Sequence, residues 1–255
     1  MTKTKSIIAL IFIATSFIFC NSAQKDAKIG LNFLEENKRF TAYRFFEKAL
    51  EENKKEPLAL YGKGKIFLLS TETMTMGREL IKESLSKLPD KYFEDAVGSL
   101  VNSYSLTKEY KESIKLLQGQ IDDDRESASV YRNLIANYII LRKNELARRS
   151  LKKALEIYPS STQIMGIAGI YEKRVRKSNK GALKYFKAVF TTEANNKNNL
   201  LHLAIIHNNM RDFKEATDTL IKLKTLSTPL EQVEIETWIK LITKKRWKKK
   251  IQINN

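Results

Sequence analysis

Few residues in this chain could do chemistry. Two histidines, His202 and His207, and one cysteine, Cys20, are the natural candidates for metal ligand, base or nucleophile among 255 residues. On a helix, positions five apart point about 140° away from each other, so the two imidazoles do not converge on one ion. In the repeat pattern described below His207 falls in the aromatic slot, which reads it as packed core, and His202 is read as facing a groove. A single thiol allows no internal disulfide and no cysteine-based metal site. The acidic runs Asp122-Asp123-Asp124 and Glu51-Glu52 fall at helix ends or turns, where carboxylates are normally solvated. Zinc-protease, phosphate-loop, dinucleotide and nucleophile-elbow motifs do not occur. The residues therefore predict a non-catalytic protein with no cofactor and no metal.

Cys20 draws attention through its position. Lys3 and Lys5 precede an apolar run from Ile7 to Phe19, broken only by Thr15 and Ser16, and a polar stretch follows. A basic start and a short apolar segment are the marks of a secretory signal, and the run is shorter than the roughly 20 residues of a membrane span. Residues 1–19 are read as the signal peptide and 20–25 as a tether. The junction resembles the lipobox of bacterial lipoproteins, which implies lipidation at Cys20. It departs from that pattern at Phe19, where the family carries a small residue. Cleavage after Ala23, and an uncleaved anchor, are the competing outcomes. The expected location is the cell envelope, as a membrane-anchored lipoprotein or in the periplasm.

Charge points outward as well. The chain carries 46 Lys and Arg against 29 Asp and Glu, a formal charge of +17. Most of the excess is scattered over helix surfaces, but Lys244, Lys245, Arg246, Lys248, Lys249 and Lys250 crowd around Trp247. This basic tail, residues 244–255, suits an anionic membrane surface. Phosphate binding and base stacking by nucleic acid are the alternative use, as in a nucleic-acid-binding or cytoplasmic membrane-anchored protein. Export favours lipid or an acidic protein.

Helices must position all of this. Only nine Gly and four Pro are present, too few for a strand-and-hairpin fold of this length. A small–large–small pattern starts at Ala42, Gly77, Ser113, Ala147, Ala182 and Ala216, with intervals of 35, 36, 34, 35 and 34 residues. A second series precedes each start: Ile29-Gly30-x2-Phe33, Lys63-Gly64-x2-Phe67, Leu100-Val101-x2-Tyr104, Leu134-Ile135-x2-Tyr138, Ile167-Ala168-x2-Tyr171 and Leu203-Ala204-x2-His207. Pro57, Pro89, Pro159 and Pro229 all fall at repeat junctions.

Together the two series resemble the tetratricopeptide repeat over residues 26–224, and with the N-terminal signal they are similar to repeat-containing lipoproteins of the bacterial envelope. Val101, Ile135 and Gln120 depart from the small residues of the pattern. The resemblance implies an all-α fold, an α-solenoid of about six tetratricopeptide-like helix pairs. Thr228-Pro229-Leu230-Glu231 then opens a capping helix over 228–243, with Leu230, Val233, Ile235, Trp238, Leu241 and Ile242 as its apolar positions. It also implies a scaffold that binds another protein or an extended peptide along the first helices of the pairs. The register puts Tyr61, Lys65, Asn102, Arg132, Asn133, His202 and Asn209 near that groove, where amides pair with a backbone and Arg with a carboxylate.

Overall fold

The computed structural model describes residues 22–244. Cys20 and Lys245, Arg246, Trp247, Lys248, Lys249 and Lys250 lie outside the described residues. Thirteen helices and no strand occur within them: α1 (22–35), α2 (Arg39–Glu52), α3 (Pro57–Phe67), α4 (Met74–Leu85), α5 (Asp90–Leu106), α6 (Tyr110–Asp122), α7 (Ala128–Ile140), α8 (Asn144–Ile157), α9 (Thr162–Arg174), α10 (Asn179–Thr192), α11 (Lys197–Asn209), α12 (Phe213–Thr225) and α13 (Pro229–Thr243). The fold is all-α, an α-solenoid of helix pairs. No described helix is long and apolar enough to cross a membrane. The chain divides into two compact units between Ser113 and Ile114, inside α6. Helix α1 already includes residue 22, the first described, and Ala23 is fully buried, so residues 22–25 are helical where a tether was expected.

Odd-numbered helices are the first members (A) of the pairs and even-numbered helices the second (B). Both sequence series define their contact faces. Ala42, Ala147, Ala182 and Ala216 have no exposed surface, and Phe46, Ile81, Leu117, Phe186 and Leu220 fill the gaps one turn further on. On the A helices Tyr104, Tyr138, Tyr171 and His207 are buried at the aromatic position. Glycine is required where helices nearly touch. A Cβ on Gly64 would stand 2.9 Å from the Gly77 carbonyl oxygen, and a Cβ on Gly77 only 2.8 Å from that of Gly64.

Helix ends follow from local chemistry. Glu56, Ser127, Ser161, Ser178 and Asn196 cap the N-termini of α3, α7, α9, α10 and α11 by accepting backbone N–H bonds. Thr228 and Glu231 form a reciprocal capping box ahead of α13, with Pro229 in its first turn. The A helices other than α3 and α13 end in a left-handed residue: Asn37, Lys108, Arg142, Lys177 and Arg211. In four of these turns the next N–H closes on the carbonyl of the aromatic slot, as from Lys143 to Tyr138 at 2.8 Å and from Asp212 to His207 at 2.8 Å.

The capping helix differs from expectation in one respect. Ile235 and Ile242 are buried, and Trp238 and Leu241 pack against the core of α11 and α12, whereas Leu230 and Val233 are exposed. One helix has a single inward stripe, and these two residues lie on its other side.

Candidate functional site

The expected groove residues divide between the two units. In the first, Tyr61 on α3 is buried and its hydroxyl donates to the Asp95 carboxylate on α5. Lys65 Nζ lies 2.8 Å from Asp95 Oδ2 and 5.4 Å from the centre of the Tyr61 ring. Burial alone would raise the Asp95 carboxyl, but the bonds from Lys65 and Tyr61 hold it below the ordinary range. Burial, then Asp95, pushes the Tyr61 phenol up. Tyr61 and Lys65 thus both engage Asp95 of a neighbouring helix, with Tyr61 buried and Lys65 partly exposed. Asp95, which organises both, carried no motif. Asn102 is exposed on α5.

In the second unit Asn133, Gly166 and His202 sit one residue ahead of Leu134, Ile167 and Leu203, so they hold the same repeat position on α7, α9 and α11. Asn133 retains 9% of its surface, and its Nδ2 has no hydrogen-bond partner. A Cβ on Gly166 would meet nothing within 4 Å. His202 is half-buried and stacks on Phe186 with ring centres 4.9 Å apart, and its Nδ1 also lacks a partner. Burial first, then the charges of Lys173 and Arg174, lowers the His202 imidazole to about 4, so it is neutral near pH 7. Burial, then Arg174, lowers the Lys173 ammonium too, and among the described residues Lys173 forms no ion pair.

Asn133, placed near the groove by the register, has its side chain under that face. Arg132 and Asn209 are exposed, at the middle and end of α7 and α11. His207 is buried with Nδ1 3.3 Å from Asp212, as a core histidine. Gly166 and Lys173 escaped the sequence reading, although a glycine inside a helical pattern was the signal for the first. Arg78 was also missed. It is buried in α4, donates to Ser103 Oγ at 2.9 Å and the Ser103 carbonyl at 2.8 Å, pairs with Glu109 at 2.9 Å and lies over Tyr104. Lys244, the first residue of the basic tail, is exposed at the end of α13.

No family model and no curated protein matches the chain. Among solved structures it is similar to a tetratricopeptide repeat protein from Parabacteroides merdae, with a TM-score of 0.65 at 16% identity over 89% of this chain and 88% of that one. It is also similar to PilW, a type IV pilus biogenesis factor, with a TM-score of 0.65 at 17% identity over 83% of this chain and 98% of that one. Pseudomonas aeruginosa PilF gives a TM-score of 0.60 at 18% identity over 86% and 99% of the two chains. At these identities the likeness defines the fold, that of a tetratricopeptide-type solenoid.

Proposed function

We propose that this chain is a non-catalytic scaffold of the bacterial cell envelope. In this reading it is exported through residues 1–19, attached through Cys20, and holds a partner protein or extended peptide on the A-helix face of its second unit. The observation that carries the binding reading is the row Asn133, Gly166 and His202. A helical glycine that touches nothing is less stable than alanine by about 1 kcal/mol, so its presence between two polar side chains with unpaired atoms calls for a reason. A partner backbone lying close over Gly166 supplies that reason, because a side chain there would hold it off. Lys173 and Arg174, whose charges act on His202, suit a carboxylate of the same partner. Arg132 and Asn209 extend the face along α7 and α11. Tyr61, Lys65 and Asn102 contribute less, because the first two are already engaged with Asp95.

A photo-crosslinking residue placed at Gly166, where there is room, tests the reading against the same residue at the exposed Lys187 of α10. A discrete adduct with an envelope protein from Gly166 alone is expected. Adducts from both positions, or from neither, sink the proposal. Metabolic labelling with an alkynyl fatty acid tests the anchor, since Cys20→Ala is expected to lose both the label and membrane attachment.

A further inference from the structure

Charge in the second unit is sorted by edge. Its A helices run one way and its B helices the other. The turns leaving α7, α9 and α11 and the end of α13 therefore share one edge, and the turns entering these helices share the opposite edge. Residues 141–146, 173–181, 209–215 and 244 on the first edge carry ten cations against three carboxylates. Residues 121–128, 157–162, 192–198 and 225–231 on the second carry two cations against six carboxylates. The first unit shows no such bias: its leaving turns, residues 36–41, 68–73 and 106–111, carry four cations against three carboxylates.

Three of the cations stand where Lys and Arg fit poorly. Arg142, Lys177 and Arg211 have φ of 55°, 57° and 65°, a conformation that glycine or asparagine adopts at lower cost. The helix dipole favours a cation at each place. It does not account for Lys143, Lys180 and Lys214, which lie beyond the turns near the starts of the B helices, where the dipole favours acids. None of Arg142, Lys177 and Arg211 takes part in an ion pair among the described residues. Beside them Ile140, Leu146 and Met210 are exposed. Aliphatic side chains among long cations suit a lipid interface, where stems and apolar groups sink and charged heads stay at the phosphates. Single-stranded nucleic acid is instead gripped by aromatic stacking.

We propose that this edge of the second unit docks onto an anionic lipid bilayer. Arg142, Lys177, Arg211 and their neighbours meet the headgroup phosphates, and Ile140, Leu146 and Met210 enter the interface. The turns recur once in each helix pair, so the cations repeat along this edge. Lys244 places the start of the basic tail on the same edge. The inference needs neither lipidation of Cys20 nor a partner on the A-helix face.

The test uses the full chain with Arg142→Asn, Lys177→Asn and Arg211→Asn together. Asparagine suits the left-handed conformation, so each turn is retained while its charge is removed. Partitioning is measured on phosphatidylcholine vesicles with and without phosphatidylglycerol. The preference for the anionic vesicles is expected to fall about a hundredfold, with a shallower dependence on salt. The control, Lys152→Gln with Lys184→Gln and Lys187→Gln on α8 and α10, removes the same charge and is expected to keep most of the preference. An unchanged preference in the edge variant, or an equal loss in the control, overturns the proposal. So does loss of binding to a single-stranded oligonucleotide while vesicle binding persists. As a second readout, Met210→Cys in a Cys20→Ala background carries an environment-sensitive dye, whose emission shifts to the blue on anionic vesicles if the edge docks and stays unshifted if it does not.

Discussion

Two glycine-to-alanine changes should move stability in opposite directions. At Gly77 on α4 the new Cβ would lie 2.8 Å from the Gly64 carbonyl oxygen, 2.9 Å from the Leu68 nitrogen and 3.0 Å from Phe67 Cβ. Two of these three atoms are backbone, and they are joined by the 3.0 Å hydrogen bond from Leu68 to Gly64 that closes α3. No rotamer change relieves the contact, so α3 and α4 must separate. Overpacking of this kind costs about 1–3 kcal/mol and belongs at the upper end when backbone is the obstacle. Alanine returns about 1 kcal/mol of helix propensity, leaving a net loss of about 2 kcal/mol. At Gly166 the propensity gain is unopposed, and Gly166→Ala should be more stable by up to about 1 kcal/mol. For a chain of this size these values correspond to falls of about 4–8 °C and rises of about 2–4 °C in the melting temperature. Helical ellipticity followed on heating and in urea reads both, and hydrogen exchange assigns each effect to its unit. Parental stability in Gly77→Ala would show that α3 and α4 are not in backbone contact there. A loss of stability in Gly166→Ala would falsify the open notch.

Other consequences can be checked separately. Ala147→Glu puts an unpaired carboxylate into a fully buried helix contact and should cost several kcal/mol, about 3 or more, read as a lower urea midpoint. Arg78→Lys keeps the charge but loses the planar set of donors shared among Ser103, Thr107 and Glu109. It should cost about 2 kcal/mol, and equal stability would mean the network contributes nothing. His202 titrates near 4 when folded and near its ordinary 6.5 when unfolded. Between these values the unfolded chain binds a proton that the folded chain does not. Its contribution therefore weakens stability as pH falls from about 6.5 toward 4, by at most about 3 kcal/mol. His202→Gln should remove that part of the pH dependence, and identical pH profiles for parent and variant would refute it.

The sequence by itself determined the helical class, the period of the pairs and the start of the last helix. Their causes are local: apolar residues recurring within one helix turn, prolines at the junctions and side chains that cap within three residues. Ala42, Phe46, Ala147 and Phe186 were readable as contact positions because each repeat meets its neighbour in the same way. The glycine of α9 and the cations of the A-to-B turns were visible as letters, but not as an open notch or a sorted edge. Tertiary structure alone decided that Asp95 engages Tyr61 and Lys65, 34 and 30 residues away. It alone decided that Arg78 reaches into α5, that Asn133 lies beneath the surface, and that Leu230 and Val233 face outward. These facts depend on how far apart two helices stand and how each is rotated about its axis. A periodic pattern gives the face of a helix but not the ångström-scale offset to its neighbour, and that offset decides whether a polar side chain meets a partner, solvent or nothing.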